Sequence, residues 1–351
     1  MAVSHLFLHR GSTRYGMGVD GHAHRSRGFF RIGIIWLAAA GWLVAVHAAE
    51  PEAKAAAGRD VEGPTPGHPV ESMLETQVEL HRRGFSCGSI DGVGGAQTGA
   101  ALAAFQRGAG IRETGTLDDA TRSRLTLTGP TLGTYALTVS DIGSLHRVPD
   151  TWLEKSELPS LGYSTALELV AERFHAHPNL IRKLNPGINW SALLLGATIT
   201  VPAADRVAVS GTATQVVINL GTHQLEVLDE NSRVIAHFPV SIAHMAEKRP
   251  VGQLQVTVII TDPNYTFDPE VFPESAEGKM LQRRLTIPPG PNNPVGVIWI
   301  GLNLPGYGIH GTPEPEKIGR TESHGCFRLA NWDALTLASL VKVGMPVFVE
   351  P

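Results

Sequence analysis

The residues with most capacity for chemistry lie in "ESHGCFRL", Glu322 to Leu329. Cys326 follows Gly325 and stands two places after His324; the chain holds one other cysteine, Cys87. A second histidine, His310, sits sixteen residues upstream in "YGIHGT" and is followed by Gly311. The thiolate, not the thiol, is the nucleophile. An ordinary thiol, with a pKa of ~8.5, is mostly protonated at neutral pH, and a nearby imidazole can take that proton. Gly325 removes a side chain beside the sulfur and widens the backbone's choices. Such a turn can aim N–H groups at a reacting carbonyl oxygen, as an oxyanion hole requires.

The same residues admit other readings. A lone cysteine is commonly a buried small hydrophobe. Cys87 and Cys326 could pair as a disulfide in an oxidising compartment, which would block the thiol. His310, His324 and Cys326 offer three zinc ligand types, but neither C-x-x-C nor H-E-x-x-H spacing accompanies them. Two histidine–glycine motifs around one cysteine favour thiol catalysis and leave these alternatives open.

The elements that must position these residues are strands. From Gln215 onward "QVVINL", "HQLEVLDE", "VIAHFPVSI", "GQLQVTVII", "VGVIWIGL", "YGIHGT" and "PVFVE" alternate or run apolar between Gly, Pro, Asn and Asp. This predicts an all-β domain over 214–350, with its own core and one helix, "NWDALTLASLVKVG", that braces the cysteine loop. Asn331 is its expected N-cap, with Asp333 in the first turn. His223, His237 and His244 are expected at the surface or on a strand face. Ahead of this domain, residues 71–127 read as three short helices. Leu74, Val78 and His81 share one face of the first, Ala100, Ala101, Ala104 and Phe105 line the second, and Thr116 or Asp118 caps the third. Residues 160–203 read as two helices and a closing strand, "ATITVP".

The remainder bounds the setting. Arg25, Arg27 and Arg31 precede an apolar run from Ile32 to Val46 that ends in "HAAE". That pattern predicts a signal peptide over 1–49 and export to the periplasm, with an uncleaved signal anchor as the alternative. Fifteen apolar residues are short for a membrane span. Residues 50–70 carry almost no large apolar side chains and read as a linker. The net charge is -4, and the leader holds five arginines against one aspartate, so the rest is near -8. An acidic chain gives no footprint for nucleic acid.

Three resemblances follow from these motifs. "GIHGT" and "SHGCFRL", with "PPGPNNPVG" and "GMPV" in support, resemble the YkuD-type L,D-transpeptidase catalytic domain (the ErfK/YbiS/YcfS/YnhG-like group). Ile90, Asp91, Gly92, Thr98, Phe105, Gln106, Gly115, Asp118 and Thr121 resemble the type 1 peptidoglycan-binding domain. "LNPGIN" and "LLLGATITVP" resemble a degraded LysM module. The implied fold is multidomain: an all-β catalytic domain with one C-terminal helix, behind a three-helix module and a small α+β module.

The first resemblance implies that Cys326 is the acyl-accepting nucleophile and His310 its general base, with His324 beside them. Gly325, Ser323, Gly311, Arg328 and Tyr307 stand as substrate, oxyanion or motif support. The implied reaction attacks the third residue of a peptidoglycan tetrapeptide stem, releases the terminal D-alanine, and passes the acyl group to an amine. The implied partners are stem peptides, glycan strands and a lipoprotein acceptor, with no metal or cofactor. The resemblance also implies acylation by carbapenems. A non-catalytic wall-binding or anchoring protein, an L,D-carboxypeptidase and a zinc amidase are the competing readings.

Overall fold

The computed structural model describes residues 67–193, 195–205, 207–271, 275–320 and 325–351. The leader expected over 1–49 and most of the linker expected over 50–70 lie outside them, as do Ser323 and His324. No helix among the described residues is long and apolar enough to cross a membrane.

Ser72 starts α1 (Met73–Arg82) with a reciprocal cap. Its hydroxyl accepts from the Glu75 N–H, and the Glu75 carboxylate accepts from the Ser72 N–H. α2 (Ala96–Gly108) and α3 (Asp119–Arg124) follow, and Asp118 caps α3. Leu80, Ala101, Ala104, Phe105 and Leu125 close their core. Two buried glutamines tie the loops: Gln77 accepts from the N–H groups of Asp91 and Gly92, and Gln106 accepts from those of Thr114 and Gly115.

The second segment runs β1 (Leu132–Ala136), α4 (Val139–Ser144), α5 (Trp152–Glu157), α6 (Ala166–Arg173), α7 (Pro178–Leu184) and β2 (Thr198–Pro202). β1 pairs antiparallel with β2, with Leu132 opposite Pro202. The partner strand of β2 thus lies upstream of 160–203, and α4 and α5 stand between it and the helix pair. Val170, Ile181, Ile199 and Val201 are the centre of this core.

The third segment contains β3 (Gln215–Asn219), β4 (Gln224–Leu228), β5 (Val234–Pro239), β6 (Gly252–Thr261), β7 (Tyr265–Phe267), α8 (Ala276–Leu281), β8 (Leu285–Ile287), β9 (Ile298–Leu302), β10 (Gly308–His310), β11 (Phe327–Arg328), α9 (Asn331–Leu340) and β12 (Pro346–Glu350). Eight strands form one sheet in the order β11-β10-β9-β6-β12-β3-β4-β5, while β7 and β8 form a separate pair. β3, β4 and β12 alternate between buried and half-buried residues, as period-two sequences should. Val216, Ile218, Val227, Ile300, Ile309, Phe327, Leu337 and Val347 share the core, each contributing about 1.5–3 kcal/mol on burial. α8 is a second helix in this segment, started by the Ser275 side chain.

Contacts join the three segments. Ser86 N–H donates to the His237 carbonyl (2.8 Å) and His237 N–H to the Gly84 carbonyl (2.9 Å), so the first segment sits on β5. His237 lies on strand β5, one of the two expected placements, and that contact buries it completely. Ile90 exchanges two backbone bonds with His175 and His177 of the second segment. Ser86 also donates from its hydroxyl to the buried Asp333 carboxyl at 2.9 Å.

Candidate active site

Parallel pairing of β10 with β11 sets Ile309 opposite Phe327 and His310 opposite Arg328. Ile309 and Phe327 point into the core, each 1% exposed. Alternation then turns Gly308, His310, Cys326 and Arg328 toward the other face. β10 also pairs with β9, where His310 lies opposite Trp299; the indole stacks on the imidazole with centroids 5.6 Å apart and planes 21° apart. Two strands and one aromatic thus fix the buried His310 imidazole.

The tautomer follows from one bond. His310 Nδ1 lies 2.7 Å from the Gly311 carbonyl oxygen, which can only accept, so Nδ1 carries the proton. Nε2 keeps its lone pair. Burial pushes the His310 pKa down to about 4; the Arg328 charge adds to the fall and the Gly311 bond opposes it.

Cys326 is partly buried, and its thiol donates to the Gly306 carbonyl at 3.5 Å. Burial pushes its pKa up to about 11, against the Gly308 N–H and the Arg328 charge. Thiol and imidazole are therefore both neutral near pH 7, and any attack by this sulfur would require proton transfer in step with bond formation. Tyr265 and Tyr307 both have raised pKa values, first from burial and then from the nearby Cys326 charge.

The other expected site residues divide. Arg328 exchanges backbone bonds with Ser241, and its charge acts on both Cys326 and His310. Tyr307 lies in the turn between β9 and β10. Gly311 is left as motif support, since its N–H is given to the Ile298 carbonyl. Its lack of a side chain serves packing instead, because a Cβ there would lie 2.1 Å from Asn331 Oδ1. Among the described residues, nothing lies within 4 Å of a Cβ placed on Gly325. Ser323 and His324 lie outside the described residues.

Cys87 and Cys326 are thiols, not a disulfide, and Cys87 is buried. No three His, Cys, Asp or Glu among the described residues form a group able to hold a metal. The zinc alternative also draws on His324.

Sequence reasoning misses Trp299, Tyr265, the Gly306 carbonyl and the role of Asn331. Asn331 is the N-cap of α9 that the sequence predicts, but the capping position is Ala330, with no side-chain bond. The Asn331 amide reaches outward: Oδ1 accepts from the Val297 N–H, and Nδ2 donates to Pro291 O and to Glu172 Oε1. A cleft of about 180 Å³ separates the 91–98 turn from residues 315–320, and Gln97 bridges beside it to the Ile318 carbonyl at 2.7 Å.

Comparison with known proteins finds two family matches. Residues 213–349 match the L,D-transpeptidase catalytic domain of the YkuD type, and residues 70–125 match a "Putative peptidoglycan binding domain". The chain is 31% identical over 140 residues to "Putative L,D-transpeptidase YqjB" of Bacillus subtilis, covering 38% of this chain and 69% of that protein. It is 27% identical over 185 residues to "Putative L,D-transpeptidase YkuD" of Bacillus licheniformis, covering 53% and 93%. Among solved structures, an L,D-transpeptidase from Mycobacterium smegmatis is 17% identical at a TM-score of 0.31, covering 47% of this chain and 80% of that one. L,D-transpeptidase 3 from Mycobacterium tuberculosis is 18% identical at 0.32, covering 46% and 77%.

Proposed function

The chain belongs to the L,D-transpeptidase family, and on that premise we propose an exported acyl-transfer enzyme with Cys326 as nucleophile and His310 as general base. The supporting observation is the shared face of β10 and β11, where the His310 Nδ1 bond leaves Nε2 as the basic nitrogen. In this reading the Cys326 sulfur attacks the carbonyl of the third residue of a tetrapeptide stem as Nε2 takes the thiol proton. The carbon–nitrogen bond to D-alanine breaks, and the imidazolium returns that proton to the departing amine. The amine of a second stem then attacks the thioester, giving a 3→3 cross-link and restoring the thiol. A lipoprotein lysine as acceptor gives anchoring, and water gives carboxypeptidase activity. His324 acts beside the pair.

Peptidoglycan is the proposed partner of the N-terminal segments, as their resemblances imply. Docked in series, they raise the local concentration of stems for the thiol. Gln77 and Gln106 support the fold of the first segment, since their amides serve its own loops.

Intact-mass measurement after exposure to a carbapenem tests the proposal. The expected result is one adduct on the wild-type chain, mapped to Cys326, and none on Cys326→Ala. An adduct that survives Cys326→Ala overturns the nucleophile assignment.

A further inference from the structure

Glu172 of α6 and Asn331 of α9 are 159 positions apart, yet Asn331 Nδ2 donates to Glu172 Oε1 at 2.9 Å. The same Oε1 accepts from the Tyr163 hydroxyl at 3.1 Å. Nδ2 also donates to the Pro291 carbonyl (3.1 Å), and Oδ1 accepts from the Val297 N–H (3.2 Å). The Asn331 amide is therefore held from three directions and is 1% exposed.

It is held against the backbone of the catalytic base. A Cβ on Gly311 would lie 2.1 Å from Asn331 Oδ1, and one on Gly296 would lie 2.0 Å from it. Both glycines leave room for that oxygen. The Gly311 carbonyl in turn accepts the Nδ1 proton that orients the His310 ring. The contacts run without a gap from Glu172 through Asn331 and Gly311 to His310.

We infer that Glu172, in the LysM-like segment, is a positioning residue for the base: its carboxylate fixes the Asn331 amide, which fixes the Gly311 peptide and so the aim of His310 Nε2. The inference rests on the reading of His310 as general base. It ties the LysM-like segment to the active site, separately from any hold on the wall. The position is a costly one for a carboxylate. Burial pushes the Glu172 pKa up to about 7, and the Glu168 and Glu316 charges add to the rise, against the Asn331 and Tyr163 bonds. A group that served solubility alone would not stay half-buried beside two like charges.

The test measures imipenem acylation of the full chain, separating the limiting rate from the half-saturating concentration, with thermal melting run alongside. Glu172→Ala should lower the limiting rate ~10–100-fold, the scale of a small misplacement of a catalytic group. Its half-saturating concentration should stay within about 3-fold. Glu172→Gln retains an acceptor oxygen of the same shape and should restore the rate to within about 3-fold of wild type. If Glu172→Ala does not fold, Glu172→Asp replaces it, since a side chain one methylene shorter draws the acceptor away from Asn331 and should slow the same step. A folded Glu172→Ala that acylates at the wild-type limiting rate overturns the inference, as does a Glu172→Gln as slow as Glu172→Ala. His310→Ala is the separate control. Wild-type rates in that variant overturn the reading of the base, and this inference with it.

Discussion

His310 and Arg328 stand opposite each other on the parallel β10–β11 pair, so the strand facing the imidazole holds a cation two residues beyond the thiol. The Arg328 charge lowers the pKa of both groups, yet burial dominates each and drives them apart, His310 down and Cys326 up.

The pH dependence of acylation follows from those directions. With His310 at about 4 and Cys326 at about 11, both groups are neutral between those values, and the wild-type rate should be flat across pH 6–9 on their account. It should fall in acid as His310 gains its proton. His310→Ala should lose about 10²–10⁴ in rate at pH 7. A thiol of ordinary pKa would ionise unaided by pH 9–10, restoring rate there; burial of Cys326 moves that rescue toward pH 11. Rate–pH profiles of both proteins check this, and a His310→Ala rescue complete by about pH 10 would show an unshifted thiol.

Gly311→Ala should damage stability and rate together. The added carbon would meet Asn331 Oδ1 at 2.1 Å, and that amide is tied by three hydrogen bonds. Forced repacking of this kind costs about 1–3 kcal/mol. Urea unfolding gives the loss, and a variant as stable as wild type would mean that the Asn331 cradle yields freely.

Asp333 predicts a stability that depends on pH with a definite sign. Its folded-state pKa is raised well above the usual value by burial, with the Ser86 hydroxyl bond opposing. The contribution of its protonated form is complete in acid and is lost as pH rises through the folded pKa. Asp333→Asn keeps an acceptor for Ser86 and cannot ionise. Its melting temperature should therefore gain on wild type as pH is raised from 5 to 9. A constant gap across that range would place the carboxyl in an environment open to water.

Glu277 reaches from α8 to the start of α5, where its two carboxylate oxygens accept from the N–H groups of Trp152 and Leu153, each at 2.8 Å. Trp152 stacks on Phe267 at 4.6 Å, so bond and stack together link α8, α5 and the β7–β8 pair that carries Tyr265. Glu277→Ala should cost about 1–2 kcal/mol, the worth of a helix-start acceptor. Hydrogen exchange at the Trp152 and Leu153 amides should quicken. Unchanged exchange there would show that the stacked rings alone hold the joint.

Much of this architecture is legible in the sequence where burial falls on one face. Ala101, Ala104 and Phe105 recur at helical spacing along α2, and Val216 and Ile218 at strand spacing along β3, so their periods read directly. β5 and β9 are buried on both faces and have no alternation to read; only the neighbours that cover them explain their residues. β1 is half-exposed along most of its length, and its partner lies more than sixty positions away, so neither burial nor proximity announces the pair. Within the site, Cys326 and His310 are conspicuous because their flanking motifs are local. Asn331 is easily misread because a polar residue before an apolar run resembles a cap, whereas its partners, Val297, Pro291 and Glu172, are distant in the chain.

β5 ends the eight-stranded order, and the first segment meets its outer side through the backbone bonds of His237. A terminal strand with a bare row of N–H and C=O groups is a template for joining other chains. Taking residues 67–130 away, by proteolysis or by starting a fragment near Ala213, would uncover that row together with the apolar side chains beside it. Such a fragment should self-associate as its concentration rises even if its own core forms. On that outcome the helical segment would count as a guard against sheet-to-sheet aggregation, apart from any part in binding.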